Sequence, residues 1–378
     1  MPIQNYGVWK AKPVSYTYET REQDPRSPHL TLLFRDDGPG KARAAINIKS
    51  GDRSDSRLVY WLVEDFQHPL VDRLRKLDSG FRLLEGNNNN NEHHAGGGLA
   101  LDYIRGNLFQ KQTGRLLPHD IPGQNNDIID VLEPVLDRAI ARRATIYLYG
   151  SRFDDDNGSR GIHNVHMNQG SPKQWAGDNG AWQDGGLILR FDEETQNQDQ
   201  DHESQDKGHW EAVFLGFASQ AVHTEDPPSP RAGHPAPASG FRTWADFLDP
   251  SIPDRLRDED ELTDTPVVIS QAMVDPPTAS NNQTVTLENR TAQDVSLAGW
   301  KVQNRAGQVE ELPGDAGVPA NGSTEFELPN CPLSSGGDVV TLLNAQGMKV
   351  HGVSYTRQQA KQAGGILAFS LADPPAAR

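Results

Sequence analysis

The sequence predicts an α+β chain: a β-rich N-terminal domain with a few helices, followed by a β-sandwich. Three observations predict it. Short segments rich in β-branched and aromatic residues, bounded by Gly, Asp or Ser, fill the first 63 residues. An amphipathic helical pattern over 127–143 is followed by further strand-like segments. Beyond residue 266, short strand-like segments recur at regular spacing with Gly, Asn and Pro in the turns, which is typical of a sandwich.

The first strands have a spacing that favours an antiparallel sheet or a small barrel. They are predicted over 6–18, 30–34, 42–48 and 58–63. A short helix is predicted over 65–76, because Phe66, Leu70 and Leu74 fall on one face and Pro69 suits a first helical turn.

The helix over 127–143 has the clearest periodicity in the chain, with seven apolar residues on one face. These are Ile128, Val131, Leu132, Val135, Leu136, Ala139 and Ile140. The segments that follow are predicted as strands over 145–149, 161–170, 185–191 and 210–217, with a polar insert over 192–208 and a short helix over 241–248.

A proline-rich, acidic segment predicts the domain boundary. We expect a linker over 249–266, between an N-terminal domain of residues 1–248 and a C-terminal sandwich of residues 267–370. The sandwich strands are predicted over 267–269, 284–287, 295–297, 324–328 and 339–343. Trp300 is predicted to anchor the core of this sandwich.

Composition limits the classes of function. The 378 residues carry a net charge of −16, which disfavours nonspecific nucleic-acid binding because phosphate backbones are repelled. Cys331 is the single cysteine, so neither an intrachain disulfide nor a cysteine-based zinc site can form. No apolar run is long enough to span a membrane, and the first residues do not resemble a signal peptide. A cytoplasmic location is the default expectation, and export without a cleaved signal peptide remains open.

The run from Gly161 to Gly170 is the most informative stretch for function. Read as a strand, it places Asn164, His166 and Asn168 on one face, and His163, Val165 and Met167 on the other. A face of short polar side chains suits a pocket for a metal, an anion or a polar ligand. The alternative is that these side chains satisfy buried backbone groups or form turns.

Part of the C-terminal sequence resembles the lamin-tail family. The resemblance is carried by Val285–Asn289, Leu297–Val302 and Gly336–Leu342, and covers about residues 266–370. It implies an immunoglobulin-like fold. It also implies an accessory role, because in bacteria such modules are often appended to secreted or surface hydrolases, including nucleases.

The N-terminal part resembles the YukJ-like family of uncharacterised bacterial and fungal proteins, over about residues 5–225. The motifs that carry the resemblance are Tyr6–Lys10, Leu101–Asn107, Gly161–Gly170, Trp182–Gly185 and Phe214–Gln220. The family often has Asp where this chain has Asn164, so a carboxylate ligand is replaced here by a carboxamide. The resemblance implies no known reaction, so function depends on the site.

Common catalytic motifs are missing from the sequence. It contains no G-x-S-x-G elbow, no P-loop and no G-x-G-x-x-G fingerprint. His-centred acid–base chemistry and metal-assisted hydrolysis remain. The candidate catalytic residues are His166, His163, Asp184 and Arg105, and the candidate ligand-binding residues are Asn164, Asn168, Gln169 and Asp102.

Three interpretations of these residues stay open. In the first, a divalent metal is held by His166 and Asp184, with His163 and Asp102 as alternative ligands. In the second, His166 is a general base and Arg105 stabilises a developing negative charge without a metal. In the third, the residues form a structural polar network. His166 is predicted to face the pocket and His163 to act mainly in stability.

The predicted function is metal-assisted hydrolysis, with phosphodiesters as the first substrate class. The alternative is a non-catalytic binding or structural module. The expected partner is a small-molecule or polymeric substrate, together with a protein or surface contact through the C-terminal sandwich.

Overall fold

The structure is a computed structural model, and its elements are mostly strands. It describes residues 5–20, 23–24, 28–48, 57–84, 98–101, 103, 106–117, 123–124, 126–154, 160–166, 184–192, 208–218, 220, 244–248, 267–276, 283–345, 347, 349–362 and 365–369. The N-terminal strands are β1 Tyr6–Tyr18, β2 His29–Arg35, β3 Ala42–Asn47, β4 Leu58–Val63, β5 Gly80–Leu83, β6 Arg115–Leu117, β7 Thr145–Asp154, β8 Arg160–His163, β9 Gly186–Asp192 and β10 Gly208–Phe217. The helices there are α1 Leu70–Leu74, α2 Ile128–Ala141 and α3 Trp244–Leu248, with a 3₁₀ turn at Lys111–Thr113.

The C-terminal strands are β11 Val267–Met273, β12 Thr284–Asn289, β13 Val295–Ser296, β14 Lys301–Gln303, β15 Val309–Glu311, β16 Gly317–Val318, β17 Ser323–Glu327, β18 Gly337–Leu343, β19 Lys349–Thr356 and β20 Ile366–Ala368, and the helix there is α4 Arg357–Gln362. No described helix is long and apolar enough to cross a membrane.

The N-terminal strands form one ten-stranded sheet in the order β5-β1-β2-β3-β8-β7-β9-β10-β4-β6. An additional pairing of β1 with β7 joins β1, β2, β3, β8 and β7 into a closed ring, so this part of the sheet is a five-stranded barrel. The pairing of β3 with β8 is parallel, and its neighbours in the ring are antiparallel. The strand spacing favoured an antiparallel sheet or a small barrel; β1, β2 and β3 belong to the barrel, and β4 pairs outside it with β10 and β6.

Two cores lie on the two faces of this sheet. The first joins the inward side chains of the barrel strands to the buried face of α2, including Leu132 and Leu136. The second is aromatic. There Trp61 stacks on Phe109 with centroids 4.0 Å apart and meets Trp244 edge-on at 4.7 Å. This cluster holds Leu99, Leu101, Tyr103, Leu108 and Phe109 against the sheet.

Within the described residues, the N-terminal domain has many strands and few helices. The helix over 127–143 is confirmed as α2, whose first turn is capped by the Asp127 carboxylate accepting from the Ile129 and Asp130 amides. The helix predicted over 65–76 shrinks to the five residues of α1. The helix predicted over 241–248 is present as α3 within its described residues, 244–248. The described part is thus mainly β with few helices, in broad agreement with the predicted β-rich domain with a few helices.

The C-terminal residues form the predicted sandwich. One four-stranded sheet has the order β17-β12-β11-β20 and the other β15-β14-β18-β19. Trp300 is 5% exposed in the core between them, as predicted. Cys331 is also buried there, and burial raises the pKa of its thiol to about 12, so a reactive thiolate is disfavoured. The predicted linker 249–266 lies outside the described residues.

The two domains meet where Asn107 inserts into the C-terminal sheet. Its backbone has a φ of 50°, and its side chain donates to the Val340 carbonyl at 3.1 Å and the Val353 carbonyl at 3.3 Å. Its amide oxygen accepts from the Lys349 ammonium. A Cβ at Gly352 would overlap the Asn107 side chain, so the glycine leaves room for this contact.

We expect Gly352→Ala to weaken docking of the two domains by about 1–3 kcal/mol, the usual cost of an overpacked contact. Separation of the two unfolding transitions in calorimetry would measure the effect. In the double variant, Asn107→Ala makes room for the new methyl group of Gly352→Ala. The loss of docking free energy in the double variant should therefore be smaller than the sum of the losses in the two single variants. Strictly additive losses would show that these residues do not meet.

Candidate functional site

The His-rich run is a strand end followed by a turn. β8 ends at His163, and Asn164 has a left-handed φ of 56°. The predicted strand and its alternation are therefore wrong over 164–166, since Val165 and His166 are both buried. The turn arises because Asn tolerates positive φ better than most residues. Met167, Asn168 and Gln169 lie outside the described residues.

His166 is packed into the fold. Its side chain is 5% exposed, and its ring lies 4.6 Å from the Phe217 ring. Its carbonyl accepts from the Gly185 amide at 3.0 Å. A Cβ at Gly185 would overlap the backbone of Asn164 and His166, so a glycine is needed for this turn to lie against the start of β9.

Asp184 lies next to that turn and ties a distant segment to the sheet. Its carboxylate accepts from the Tyr103 amide at 2.9 Å, and its carbonyl accepts from the Tyr6 hydroxyl at 2.8 Å. The Tyr6 hydroxyl also accepts from the Leu101 amide, and the Tyr103 hydroxyl donates to the Gly185 carbonyl. Burial raises the pKa of both tyrosines well above 10, which keeps the hydroxyl protons in place.

The predicted residues Asp102 and Arg105 flank Tyr103 and lie outside the described residues. Sequence reasoning missed Tyr6 and Tyr103 as members of this network. The sequence did contain a signal for both tyrosines, because each belongs to a motif that carried the family resemblance. They were overlooked because a tyrosine in an apolar segment is usually a core residue.

His163 is the more accessible of the two histidines. It is partly exposed, its ring packs edge-on against Phe153 at 5.8 Å, and its side chain is hydrogen-bonded to Asn164. The Asn164 amide in turn donates to the Ser151 hydroxyl at 3.4 Å. Burial lowers the pKa of His163, the bond to Asn164 opposes this, and the charge of His29 lowers it further.

His163 faces outward from the barrel, on the same side as His29. Leu30 and Ile162 point into the barrel core, so their neighbours His29 and His163 point out. Glu19 faces His29 across the β1–β2 hairpin, and its carboxylate accepts from the His29 amide at 3.0 Å. A carboxylate oxygen of Glu19 lies 3.5 Å from His29 Nδ1.

Asp24 completes a group of three metal-capable side chains. One donor atom each from Glu19, Asp24 and His29 lies within 4.8 Å of the other two. Sequence reasoning missed all three, because the residues are dispersed around a hairpin and belong to no motif. We call this group together with His163 and Asn164 the outer-face cluster.

Comparison with known proteins identifies the N-terminal domain. Residues 1–228 match the family described as uncharacterized conserved protein (DUF2278), which is more than half of the chain. The chain belongs to this family. The uncharacterized protein YukJ of Bacillus subtilis (strain 168) is 31% identical over 242 residues, which is 61% of this chain and 95% of that protein. Residues 263–357 match the lamin tail domain. Both resemblances inferred from the motifs are thus confirmed.

The sandwich is an addition relative to YukJ, because the aligned region already spans 95% of that protein and leaves no room for a second domain.

The predicted candidate residues divide into two groups in the structure. His166 and Asp184 lie together in the buried network, and His163 and Asn164 lie on the outer face. Among the described residues, the metal-capable group of three is Glu19, Asp24 and His29, and it does not include the predicted ligands His166 and Asp184.

Proposed function

We propose that the N-terminal domain is a metal-assisted hydrolase that works at the outer-face cluster. In this proposal Glu19, Asp24 and His29 hold a divalent cation, and His163 is the general base. The observation that carries the proposal is that a partly exposed imidazole, oriented by Asn164, faces the same surface as three converging metal-capable side chains.

The donor set fits a catalytic cation. One imidazole nitrogen and two carboxylates suit Mn²⁺, Fe²⁺ or Zn²⁺, and three protein ligands leave coordination positions open for water and substrate. His29 and Glu19 have side-chain exposures of 28% and 44%, so solvent reaches the group. A bound cation would lower the pKa of a water molecule and so supply a nucleophile near neutral pH.

His163 has the properties of a base. Its lowered pKa keeps the ring neutral at neutral pH, so one ring nitrogen can accept a proton. The hydrogen bond to Asn164 orients the ring, and Ser151 holds Asn164 in turn. Asp184 and His166 are then positioning residues, because they anchor the turn that follows His163.

An anionic substrate is favoured by Arg43. Its guanidinium lies 5.1 Å from the centroid of the Phe153 ring, which is also the ring that His163 contacts. A positive charge beside the base would bind a phosphodiester and stabilise charge that develops on it. The net charge of −16 disfavours long nucleic acids, so we expect small phosphodiesters.

Turnover of chromogenic phosphodiester, phosphomonoester and carboxylic ester substrates with Mn²⁺, Mg²⁺ or Zn²⁺ tests the proposal. We expect His163→Ala to lower kcat on the phosphodiester by about 100-fold or more, the usual contribution of a general base. His29→Ala should abolish the stimulation of turnover by added metal ions. His209→Ala is the matched control, because His209 is exposed on β10 and outside the cluster. Turnover unchanged in both site variants would contradict the assignment.

A second candidate function is ligand binding without catalysis. It is favoured by a cavity of about 920 Å³ between the two domains, which Phe109 and Arg115 line from one side and Ser354 and Phe369 from the other. It also fits the buried network, in which the Asp184 carboxylate already serves a backbone amide. This candidate would be favoured if the protein showed no turnover and bound no metal, while a ligand held its two domains together.

A further inference from the structure

The cavity between the two domains has one wall from each of them. The N-terminal wall comes from the end of β4 and from residues between 107 and 115, and the C-terminal wall comes from β19, α4 and the end of β20. Its volume of about 920 Å³ is that of a small-molecule site. The sandwich that supplies the second wall is an addition relative to YukJ, so the cavity is a property of the two-domain chain.

Direct contacts between the domains border this cavity at two places. Asn107 and Gly352, which form the docking contact, are both lining residues. At the second place the Ser354 hydroxyl donates to the Gln67 carbonyl at 3.1 Å, and these two residues also line the cavity. The walls are therefore held at a fixed separation, and a ligand that enters has little ordering to impose.

Aromatic rings from both domains line the cavity. Phe109 on one wall and Phe369 on the other are each partly exposed. Phe109 is held by stacking on Trp61, with the ring centroids 4.0 Å apart. The backbone of Phe369 is held because its amide donates to the Ser270 carbonyl at 2.9 Å. Such rings offer apolar area at low entropic cost, and their faces attract cations.

The charged side chains of the cavity wall are mainly acidic. Among the described lining residues, Glu64 and Asp65 are negative and Arg115 is positive. The Arg115 guanidinium is hydrogen-bonded to the Tyr60 hydroxyl. The Asp65 carboxylate accepts from the Gln67 side-chain amide at 2.6 Å. Glu64 is exposed and makes no hydrogen bond or ion pair within the described part of the chain, so its carboxylate can accept from a ligand.

We propose that this cavity binds a small organic cation, with an ammonium group attached to a flat apolar body. The ammonium group lies against Glu64 and Asp65, and the apolar body lies between Phe109 and Phe369. An anionic ligand of the same shape would be repelled by the two carboxylates. The site is separate from the outer-face cluster and does not depend on hydrolysis there. Because both domains contribute to it, the ligand stabilises their docked arrangement.

Three indole compounds that differ in the charge of the side group test the proposal on the full-length protein. Tryptamine is a cation, tryptophol is neutral and indole-3-acetate is an anion. We expect millimolar tryptamine to raise the Tm most and indole-3-acetate least, and calorimetric titration to show one tryptamine site. Glu64→Gln should weaken tryptamine binding about fivefold and leave tryptophol binding unchanged. Glu325→Gln is the matched control, because Glu325 is exposed on β17 and does not line the cavity.

A variant that fills the cavity tests the position of the site. Ala368 is an exposed lining residue of the edge strand β20, so Ala368→Trp occupies the space without entering a core. It should abolish binding of tryptamine and tryptophol alike, whereas His29→Ala should bind tryptamine as the wild type does. Equal Tm shifts from tryptamine and indole-3-acetate, or unchanged tryptamine affinity in Glu64→Gln, would overturn the proposal. Tryptamine binding that Ala368→Trp leaves intact or that His29→Ala removes, or no binding by any of the three compounds, would overturn it as well.

Discussion

Lowering the pH from 7 to 4 should destabilise the protein by on the order of 5 kcal/mol, because two buried histidines must stay uncharged. Burial, the largest cause in both, lowers the pKa of His68 to about 4 and that of His351 to about 3. His68 accepts from the Leu70 amide at Nδ1 and donates from Nε2 to the Gly106 carbonyl. His351 accepts from the Ile269 amide at Nδ1. A proton on either Nδ1 would break its bond.

The direction follows from proton uptake. In the unfolded chain both histidines have a pKa of about 6.5. Below that pH the unfolded state binds more protons than the folded state, so stability falls with pH by more than ~1 kcal/mol per unit for each histidine. The contribution is fully present above pH ~6.5 and is lost as the pH falls towards 4. His163 adds a smaller effect of the same sign, since its pKa is also lowered.

Urea unfolding at pH 7, 5.5 and 4 measures this dependence. His351→Asn places an uncharged acceptor near the Ile269 amide, so the variant should lose part of the pH dependence while remaining folded at pH 7. His209→Ala should keep the wild-type dependence, because that side chain is 43% exposed. A free energy of unfolding that is constant from pH 7 to 4 would mean that the two rings are already solvated.

Trp300→Ala should cost about 3–5 kcal/mol, the usual loss for removing a buried indole. The Trp300 amide donates to the Leu297 carbonyl at 3.0 Å and its carbonyl accepts from the Leu312 amide at 2.9 Å, which fixes the backbone and limits collapse into the void. Gly299, with a φ of 77°, makes the turn that aims the indole into the core.

The midpoint and slope of denaturant unfolding measure this loss. Ile366→Ala in the same domain is the control, because Ile366 is 52% exposed and its truncation leaves no cavity. A loss below about 1 kcal/mol for Trp300→Ala would contradict the buried position of the ring.

The parts of the fold that depend on local pattern could be predicted. The stripe that starts at Ile128 predicted α2 because helical periodicity needs only neighbouring residues. The sandwich strands were found in the same way, from turns and short apolar runs. The closure of the barrel could not be predicted, because Trp9 of β1 pairs with Leu148 of β7 far along the chain. No local pattern specifies such a partner.

The candidate site was predicted only in part. The Gly161–Gly170 run contains His163 and Asn164 of the outer-face cluster, but Asn164 has a left-handed φ where a strand was assumed, so Val165 is buried in the barrel core instead of sharing a face with His163. Glu19 and His29 meet because the hairpin register places them opposite each other, and register depends on the whole barrel. The buried role of Asp184 depends on Tyr103, which is brought there by the aromatic core.

Divalent-cation binding tests the central proposal most directly. Mn²⁺ titrated into metal-depleted protein can be followed by calorimetry and by the electron paramagnetic resonance signal of the free ion. We expect one ion per chain in the wild type, weaker binding in Glu19→Gln, loss of binding in His29→Ala, and binding retained in His209→Ala. Absence of binding in the wild type, or binding that His29→Ala leaves unchanged while His166→Ala removes it, would contradict a cation at the outer-face cluster.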